Sequence, residues 1–346
     1  TMDGVRIEDG APGNTVGGST PSRRNVIADS GNDGIQVAGE TTDGNTVRGN
    51  WIGVNAAGTG TLGNAGDGIF ISGGADITTV GGTGSGDGNW VAASGLVGVE
   101  VDGASTGTVI QGNRIGTDLA GTANWGSQQI GILLESGPVG TTIGVHGGAG
   151  GNIVAYSGQG GVYTAGIQVD GSGSTGNTIA GNTVYGQTGL SIDLGGNGVT
   201  ANDAAPDSDV GANNLQNFPV LASARTNASN QLVVTGTLTS ATSSFYRIHF
   251  YGSVTQHSSG YGPGTTYLGY ADVATDGSGT ASISATLTAN VAVGSFVTAT
   301  ATQATDGSYS AFTDTSEMAR NIAAVSSTQA TVTVDELSAR LQDLYD

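Results

Sequence analysis

The sequence predicts an all-β protein in which a parallel β-helix with three short strands per turn is followed by a small antiparallel β-sandwich. Three observations predict this fold. Short strands that begin with Gly recur through the first two-thirds of the chain, 63 of the 346 residues are Gly without a three-residue period, and longer alternating strands fill the remainder. The Gly excess therefore indicates many turns and argues against collagen.

The composition limits both the core and the partners. Only 36% of the residues are hydrophobic and 5% are aromatic, so we expect a core of small aliphatic side chains. All nine cationic residues are Arg, and 28 acidic residues bring the formal net charge to −19. Such a surface repels nucleic acid, anionic lipid and polyuronates, and favours calcium or neutral glycans as partners. Cys is absent, which excludes disulfides and thiolate metal sites.

The chain also gives no sign of a membrane segment or a nucleotide site. No apolar run has the length of a membrane span, so we expect no membrane insertion. The Gly-rich loops lack the Lys and the following helix of a phosphate-binding loop, so we expect no organic cofactor. The sequence opens without a charged-then-apolar leader, and we interpret it as a mature product or an excised fragment.

The first strand family begins with Gly and alternates between aliphatic and other residues. Its second and fourth positions are aliphatic in all seven members, which is the pattern of a half-buried strand. Successive members begin 23 to 35 residues apart, as expected for stacked units. They start at Gly4, Gly34, Gly68, Gly98, Gly131, Gly166 and Gly189.

Two further strand families complete each turn. One is marked by Thr before Val or Ile, at Thr15, Thr46, Thr79, Thr108, Thr142 and Thr178. The other opens with Asn, at Asn25, Asn50, Asn89, Asn113, Asn152 and Asn182. The Asn column either forms hydrogen bonds along the rod or reflects the turn preference of Asn, and the sequence leaves both open. Glycine-rich loops recur every 63 or 64 residues, so the unit of duplication is two coils.

This pattern resembles the right-handed parallel β-helix proteins of the pectate-lyase-like superfamily. The likeness is closest to large bacterial surface proteins with runs such as Gly49-Asn50-Trp51-Ile52-Gly53 and Gly112-Asn113-Arg114-Ile115-Gly116. It covers residues 1–217, with a capping or junction loop from about residue 191. The resemblance implies a right-handed β-helix and a secreted or cell-surface location. It implies little about activity, because the superfamily contains lyases, hydrolases, epimerases and rods without catalysis.

The second part of the chain has longer strands. Five alternating runs between residues 231 and 301, separated by polar turns, predict a β-sandwich over residues 218–322. This part resembles the immunoglobulin-like modules that follow such helices in bacterial surface proteins. Residues 323–346 are predicted to form a tail or a short terminal helix.

Carboxylates follow several Gly-led strands and form the best catalytic candidates. Asp102, Glu135, Asp170 and Asp193 occupy the same position in four successive coils, and Glu100 lies two residues before Asp102. Stacked carboxylates raise each other's pKa, as in glycosidase and calcium sites. Alternatively, Asp-Gly pairs simply mark turns. The candidates for a hydrolase are Glu100, Asp102, Glu135 and Asp170. A lyase would also need a basic residue, and on this face the basic residue is Arg6, at the far end.

Other polar and aromatic residues suggest binding sites. Trp51, Trp90 and Arg114 follow each other in the Asn-led column and are candidates for carbohydrate binding, unless loops such as 116–129 cover them. Asp193, Asp203, Asp207 and Asp209 are candidate calcium ligands in the junction loop, which otherwise only ends the rod. His146, His249 and His257 are far apart in sequence, and we interpret them as isolated.

We therefore expect a non-enzymatic extracellular structural or adhesive protein. Its β-helix would act as a rigid rod, stabilised by calcium, and would associate end to end with copies of itself through exposed strand edges or bind a neutral glycan. The alternative is a polysaccharide hydrolase or, with less support, a lyase that uses the acidic column.

Overall fold

The computed structural model describes residues 2–326 except 128, 149, 161–163, 228 and 290. Within these residues the protein is all β, apart from two short 3-10 helices at Pro21–Arg23 and Ala212–Leu215. Three parallel sheets form a β-solenoid from residue 5 to residue 194, and a separate, mainly antiparallel sheet follows. The predicted fold class, a three-strand-per-turn parallel β-helix with an antiparallel part, is confirmed.

The first sheet contains the Gly-led strands. In the inner coils the aliphatic residues at the second and fourth positions stack in register and are completely buried, as Val37 and Ile71 are. Seven strands pair in chain order: Val5–Ile7, Ile35–Ala38, Ile69–Ser72, Val99–Asp102, Ile132–Glu135, Ile167–Val169 and Ile192–Leu194.

The second and third sheets contain the Thr-marked and Asn-led strands. The second consists of Thr15–Gly17, Thr46–Arg48, Thr79–Gly81, Val109–Gln111, Thr142–Gly144 and Thr178–Ala180. The third consists of Val26–Ile27, Trp51–Ile52, Trp90–Val91, Arg114–Ile115, Ile153–Ala155 and Thr183–Tyr185. Thr108 departs from the predicted column, because Val109 is the residue paired with Thr79 and Thr142.

The Asn residues at the corner between the second and third sheets form a hydrogen-bonded ladder. Each inner side-chain amide donates to the side-chain oxygen of the Asn in the next coil, as Asn89 Nδ2 does to Asn113 Oδ1 at 2.9 Å. The same oxygen also accepts the backbone N–H of the preceding Asn. The ladder runs through Asn25, Asn50, Asn89, Asn113, Asn152 and Asn182. Of the two alternatives that the sequence left open, the structure supports hydrogen bonding along the rod.

The register of the last Gly-led strand differs from the prediction. Ile192 pairs with Ile167 and Leu194 with Val169, so the strand begins three residues after Gly189. Asp193 consequently lies beside Gln168 in the middle of the strand, and the prediction that it continues the column of Asp170 is wrong. The period-two pattern fits Leu190 and Ile192 as well as Ile192 and Leu194, so a shift by two residues is invisible in the sequence.

The antiparallel part contains the five strands that the alternation predicted and three more. The predicted five are Leu232–Thr239, Phe245–Ser253, Thr266–Ala274, Thr280–Leu287 and Phe296–Ala304. The further three are Val220–Thr226, Phe312–Thr315 and Ile322–Ser326. The last strand joins the two halves of this sheet. It pairs in parallel with Val220–Thr226 on one side and in antiparallel fashion with Phe296–Ala304 on the other. Side chains of both halves, such as Leu232, Ile248 and Val297, share one core. Of the predicted tail, residues 323–326 belong to this strand and residues 327–346 lie outside the described residues.

The antiparallel part covers the C-terminal end of the solenoid. Its Tyr251 and Met318 are buried in the same core as the solenoid's stacked aliphatic residues. Backbone and side-chain groups continue the pairing of the last coil: Val184 N donates to Gly264 O at 2.9 Å and Ile179 N to Thr315 Oγ1 at 2.9 Å. This end of the solenoid is thereby closed.

Candidate functional site

The predicted acidic column occupies the outer face of the first sheet. Asp102 and Glu135 are register partners on neighbouring strands, and Asp170 directly follows the next strand. Glu100 lies two residues before Asp102, between Phe70 and Leu133 of the adjacent strands. The structure therefore brings four of the predicted acids to one face.

The Glu100 carboxyl group interacts with an acid that the sequence had not indicated. Burial, together with the charges of Asp67 and Glu135, raises the pKa of Glu100 to about 9. Burial also raises the pKa of Asp67 to about 6, although the Val97 N–H donates to its Oδ1 at 2.8 Å. Glu100 thus keeps its proton at neutral pH and shares hydrogen bonds with Asp67 and Glu135.

Asp67 belongs to an aspartate ladder that runs through the first coils. Asp3 Oδ1 accepts the backbone N–H of Asp33 at 3.2 Å, and Asp33 Oδ1 accepts that of Asp67 at 2.9 Å. The sequence carried a signal for it, because each of these Asp residues directly precedes the Gly of a Gly-led strand. In the later coils that position holds Val97, Ile130 and Ala165, so the ladder ends beside Glu100.

This arrangement has a defined chemical capacity. A carboxylic acid that remains protonated at neutral pH, next to carboxylates that carry charge, is the combination needed for general acid catalysis. The pKa of Glu135 is also raised, by burial and by the charges of Asp102 and Asp170. Glu100 is the proton holder of the set, and Asp102 is the nearest carboxylate on its own strand.

The predicted carbohydrate-binding column is partly covered. Trp90 is only 3% exposed: its ring stacks on Trp125 with centroids 5.3 Å apart, and its Nε1 donates to Thr117 O at 2.6 Å. Trp51 is half-buried and meets Trp90 edge to face. Arg114 is half-buried next to them, on the strand after Trp90.

Arg24 also belongs to this surface, although it was not among the residues predicted for it. Its guanidinium group lies over the Trp51 ring, 4.1 Å from the ring centroid. Arg24 precedes the strand Val26–Ile27 by two residues and so points to the same outer face as Val26. The period-two rule applied to the residues before the strand would have found it.

The candidate calcium ligands separate into two places. Asp203, Asp207 and Asp209 bring carboxylate oxygens within 4.8 Å of one another. Asp207 Oδ1 is buried without a hydrogen-bond partner, and burial raises the pKa of this carboxyl group. Asp193 lies elsewhere, where its carboxylate accepts the backbone N–H groups of Asn197 and Gly198. The donor set of Asp203, Asp207 and Asp209 fits a hard cation, and a cation there would partner the orphaned oxygen.

Two of the three His residues are not isolated, contrary to the interpretation of the sequence. His146 Nδ1 lies 3.2 Å from His249 Nε2, and His249 Nδ1 lies 3.0 Å from the Tyr267 hydroxyl. Burial lowers the pKa of His146 to about 4, and burial also holds the pKa of His249 well below its ordinary value. The pair joins a solenoid loop to the antiparallel part, a contact between residues 103 apart that no local pattern predicts.

The chain matches no protein-family model and no curated protein. In the described part of the chain, no helix is both long and apolar enough to cross a membrane.

Proposed function

We propose that this chain is a non-enzymatic structural or adhesive protein of the cell exterior, in which the solenoid acts as a stiff spacer. The observation that carries the proposal is the uninterrupted asparagine ladder, which links six coils side chain to side chain. Together with three continuous sheets, it gives the coils one repeated stacking pattern along the solenoid. Such uniformity favours a mechanical role over one local reaction centre.

The superfamily of the solenoid and the type of the antiparallel module are also part of the proposal. Stacked coils with three parallel sheets support a place in the pectate-lyase-like superfamily, and the two-halved antiparallel part supports an immunoglobulin-like module. The secreted or cell-surface location follows from this likeness alone.

End-to-end association is part of the proposal. Among the described residues, the strands Val5–Ile7, Thr15–Gly17 and Val26–Ile27 each have a neighbour on one side only. Unpaired parallel edges of this kind accept strands of another chain. Because the antiparallel part closes the other end of the solenoid, electron microscopy of the purified protein is expected to show rods joined in pairs through these edges.

Calcium stabilisation is supported by the three-aspartate group. Calcium is expected to raise the melting temperature and chelator to lower it, because the ion would neutralise Asp203, Asp207 and Asp209. Asp207→Asn should abolish the shift, whereas Asp193→Asn, outside the group, should leave it. Melting that is indifferent to calcium removes this part of the proposal.

A second candidate function is polysaccharide hydrolysis on the first sheet. The observation that favours it is the protonated Glu100 between Asp67 and Glu135. The test is a screen of soluble polysaccharides for new reducing ends and for unsaturated products, with Glu100→Gln, Asp102→Asn and Asp170→Asn as controls. Activity that Glu100→Gln removes would establish the enzyme and overturn the rod. Inertness of the wild type together with rods paired end to end would support the rod.

A further inference from the structure

A groove lies along the outer face of the third sheet, separate from the acidic face. It has a volume of about 430 Å³, within the range of ligand-binding sites. Arg24, Trp51 and Arg114 line one part of it, and Thr83 with neighbouring glycines lines another. We call this the arginine groove.

The arginine groove holds positive charge that the protein itself does not neutralise. Among the described residues, neither Arg24 nor Arg114 has a carboxylate within 4.0 Å, although acids outnumber cations 28 to 9. The neighbouring Asp118 carboxylate is occupied by the backbone N–H groups of Thr122 and Ala123, at 2.7 and 3.0 Å. The groove is therefore a local cationic site on an acidic molecule.

The Arg24 side chain is held in place, but its hydrogen-bond donors have no partners in the described part of the chain. The Trp51 ring fixes its guanidinium group by a cation–π contact at 4.1 Å. Its Nε is buried and has no hydrogen-bond partner. Among the described residues, no group accepts a hydrogen bond from the Arg24 side chain, so its terminal N–H groups are available to a ligand in the groove.

The spacing of the two cations selects among anions. Trp51, under Arg24, and Arg114 lie two strands apart in the third sheet, or about 10 Å. One small anion cannot reach both, whereas a linear ligand with repeated acidic groups can. The polar, shallow lining of Thr and glycine backbone suits a sugar chain, and guanidinium groups bind carboxylate and sulfate alike.

We propose that the arginine groove binds an acidic saccharide chain through its carboxylate or sulfate groups. Arg24 and Arg114 bind successive acidic groups, and the stacked Trp51 keeps Arg24 oriented. This binding is independent of the proposed mechanical role, because it rests on the groove alone.

The test is calorimetric titration of the full chain with three polymers that share one backbone: dextran sulfate, carboxymethyl-dextran and unmodified dextran. We expect one or both acidic polymers to bind and the neutral polymer not to bind. Arg24→Gln and Arg114→Gln should each weaken binding roughly ten- to a hundredfold, since each removes charge-assisted hydrogen bonds. The matched control is Arg23→Gln, which removes the same charge from the adjacent exposed residue and should change binding no more than about twofold.

A second variant protects the test against misfolding. Thr83→Glu places a carboxylate in the groove from an exposed loop position and should also abolish binding, whereas Thr83→Gln should not. Equal losses in Arg23→Gln and Arg24→Gln, equal binding of neutral dextran, or no binding of either acidic polymer would each overturn the proposal. The choice between the two acidic polymers identifies sulfate or carboxylate as the recognised group.

Discussion

Glu100 lies between the carboxyl groups of Asp67 and Glu135, and this position decides its protonation. The acidic face could be predicted from the sequence, because Glu100, Asp102, Glu135 and Asp170 follow a strand pattern that repeats coil by coil. The partner Asp67 was not predicted, because it belongs to the corner before the strand. Whether Asp67 approaches Glu100 depends on the backbone conformation of the corner before the strand Ile69–Ser72, which the strand pattern does not determine.

The buried proton of Glu100 makes stability depend on pH. The folded protein holds this proton up to about pH 9, whereas the unfolded chain releases it near pH 4.5. Between these values the folded state binds more protons, so this group's contribution to the free energy of unfolding falls as pH rises. We expect Glu100→Gln, which keeps a hydrogen-bond donor and carries no charge, to be more stable than the wild type at pH 9 and about equal to it at pH 5.

Urea denaturation at both pH values measures this difference. Glu40→Gln, at an exposed position of the same solenoid, serves as the control and should track the wild type. A gap between Glu100→Gln and the wild type that is the same at pH 5 and pH 9 would contradict the buried proton.

At the scale of the element, each coil is specified by residues of the same type that stack on one another in successive coils. The period-two pattern of the Gly-led strands and the Asn column sufficed to predict three sheets. The pattern failed for the last coil, where Leu190, Ile192 and Leu194 offer two registers of the same period. Only the three-dimensional fit over Ile167 and Val169 selects between them.

The asparagine ladder should be weakest at its end and strongest in its middle. Asn113→Ala leaves the buried backbone N–H and one side-chain N–H of Asn89 without their acceptor, at a cost of about 2–4 kcal/mol. Asn25→Ala removes one exposed side chain at the edge and should cost about 1 kcal/mol or less. Equilibrium denaturation of the two variants checks the ranking, and equal losses would mean that the ladder adds nothing to ordinary turn preference.

Gly112 is required by the close approach of coils. A Cβ at this position would lie 2.1 Å from Gly82 O, and the residue has a φ of +66°. Gly112→Ala should therefore prevent normal stacking and lower the melting temperature sharply. Gly13→Ala has a similar φ of +70° but nothing within 4 Å, so it should cost only about 1–2 kcal/mol. Similar melting temperatures for both variants would show that backbone conformation, and not contact, sets the penalty.

At the scale of the whole molecule, the antiparallel part closes the solenoid through contacts that no repeat encodes. Its strands were predictable from alternation, but its docking was not, because Tyr251, Thr315 and Glu317 carry no sign of it in the sequence. Glu317 is the buried acid among these contacts: it is 2% exposed and accepts the backbone N–H groups of Leu194 and Thr200, each at 3.0 Å.

Removing the Glu317 side chain should loosen the last coil. Glu317→Ala leaves two N–H groups without acceptors and should lower the free energy of unfolding by about 2–4 kcal/mol. Burial raises the pKa of Glu317 to about 7, so Glu317→Gln should be tolerated better. Amide hydrogen exchange measures this change. Relative to the wild type, Glu317→Ala should exchange faster at residues 192–200 and at an unchanged rate at residues 35–38. An equal change in both segments would contradict the docking role.

The coupling of the last coil to the segment that follows the solenoid has an evolutionary consequence. Asn177, which accepts the N–H of Thr141, has its own N–H bound by Asn213, a residue from beyond the repeat. Interior coils are interchangeable, so recombination can add or delete them in pairs and change the reach of the protein without redesigning its core. The final coil is the exception: it must be inherited together with the segment that follows it.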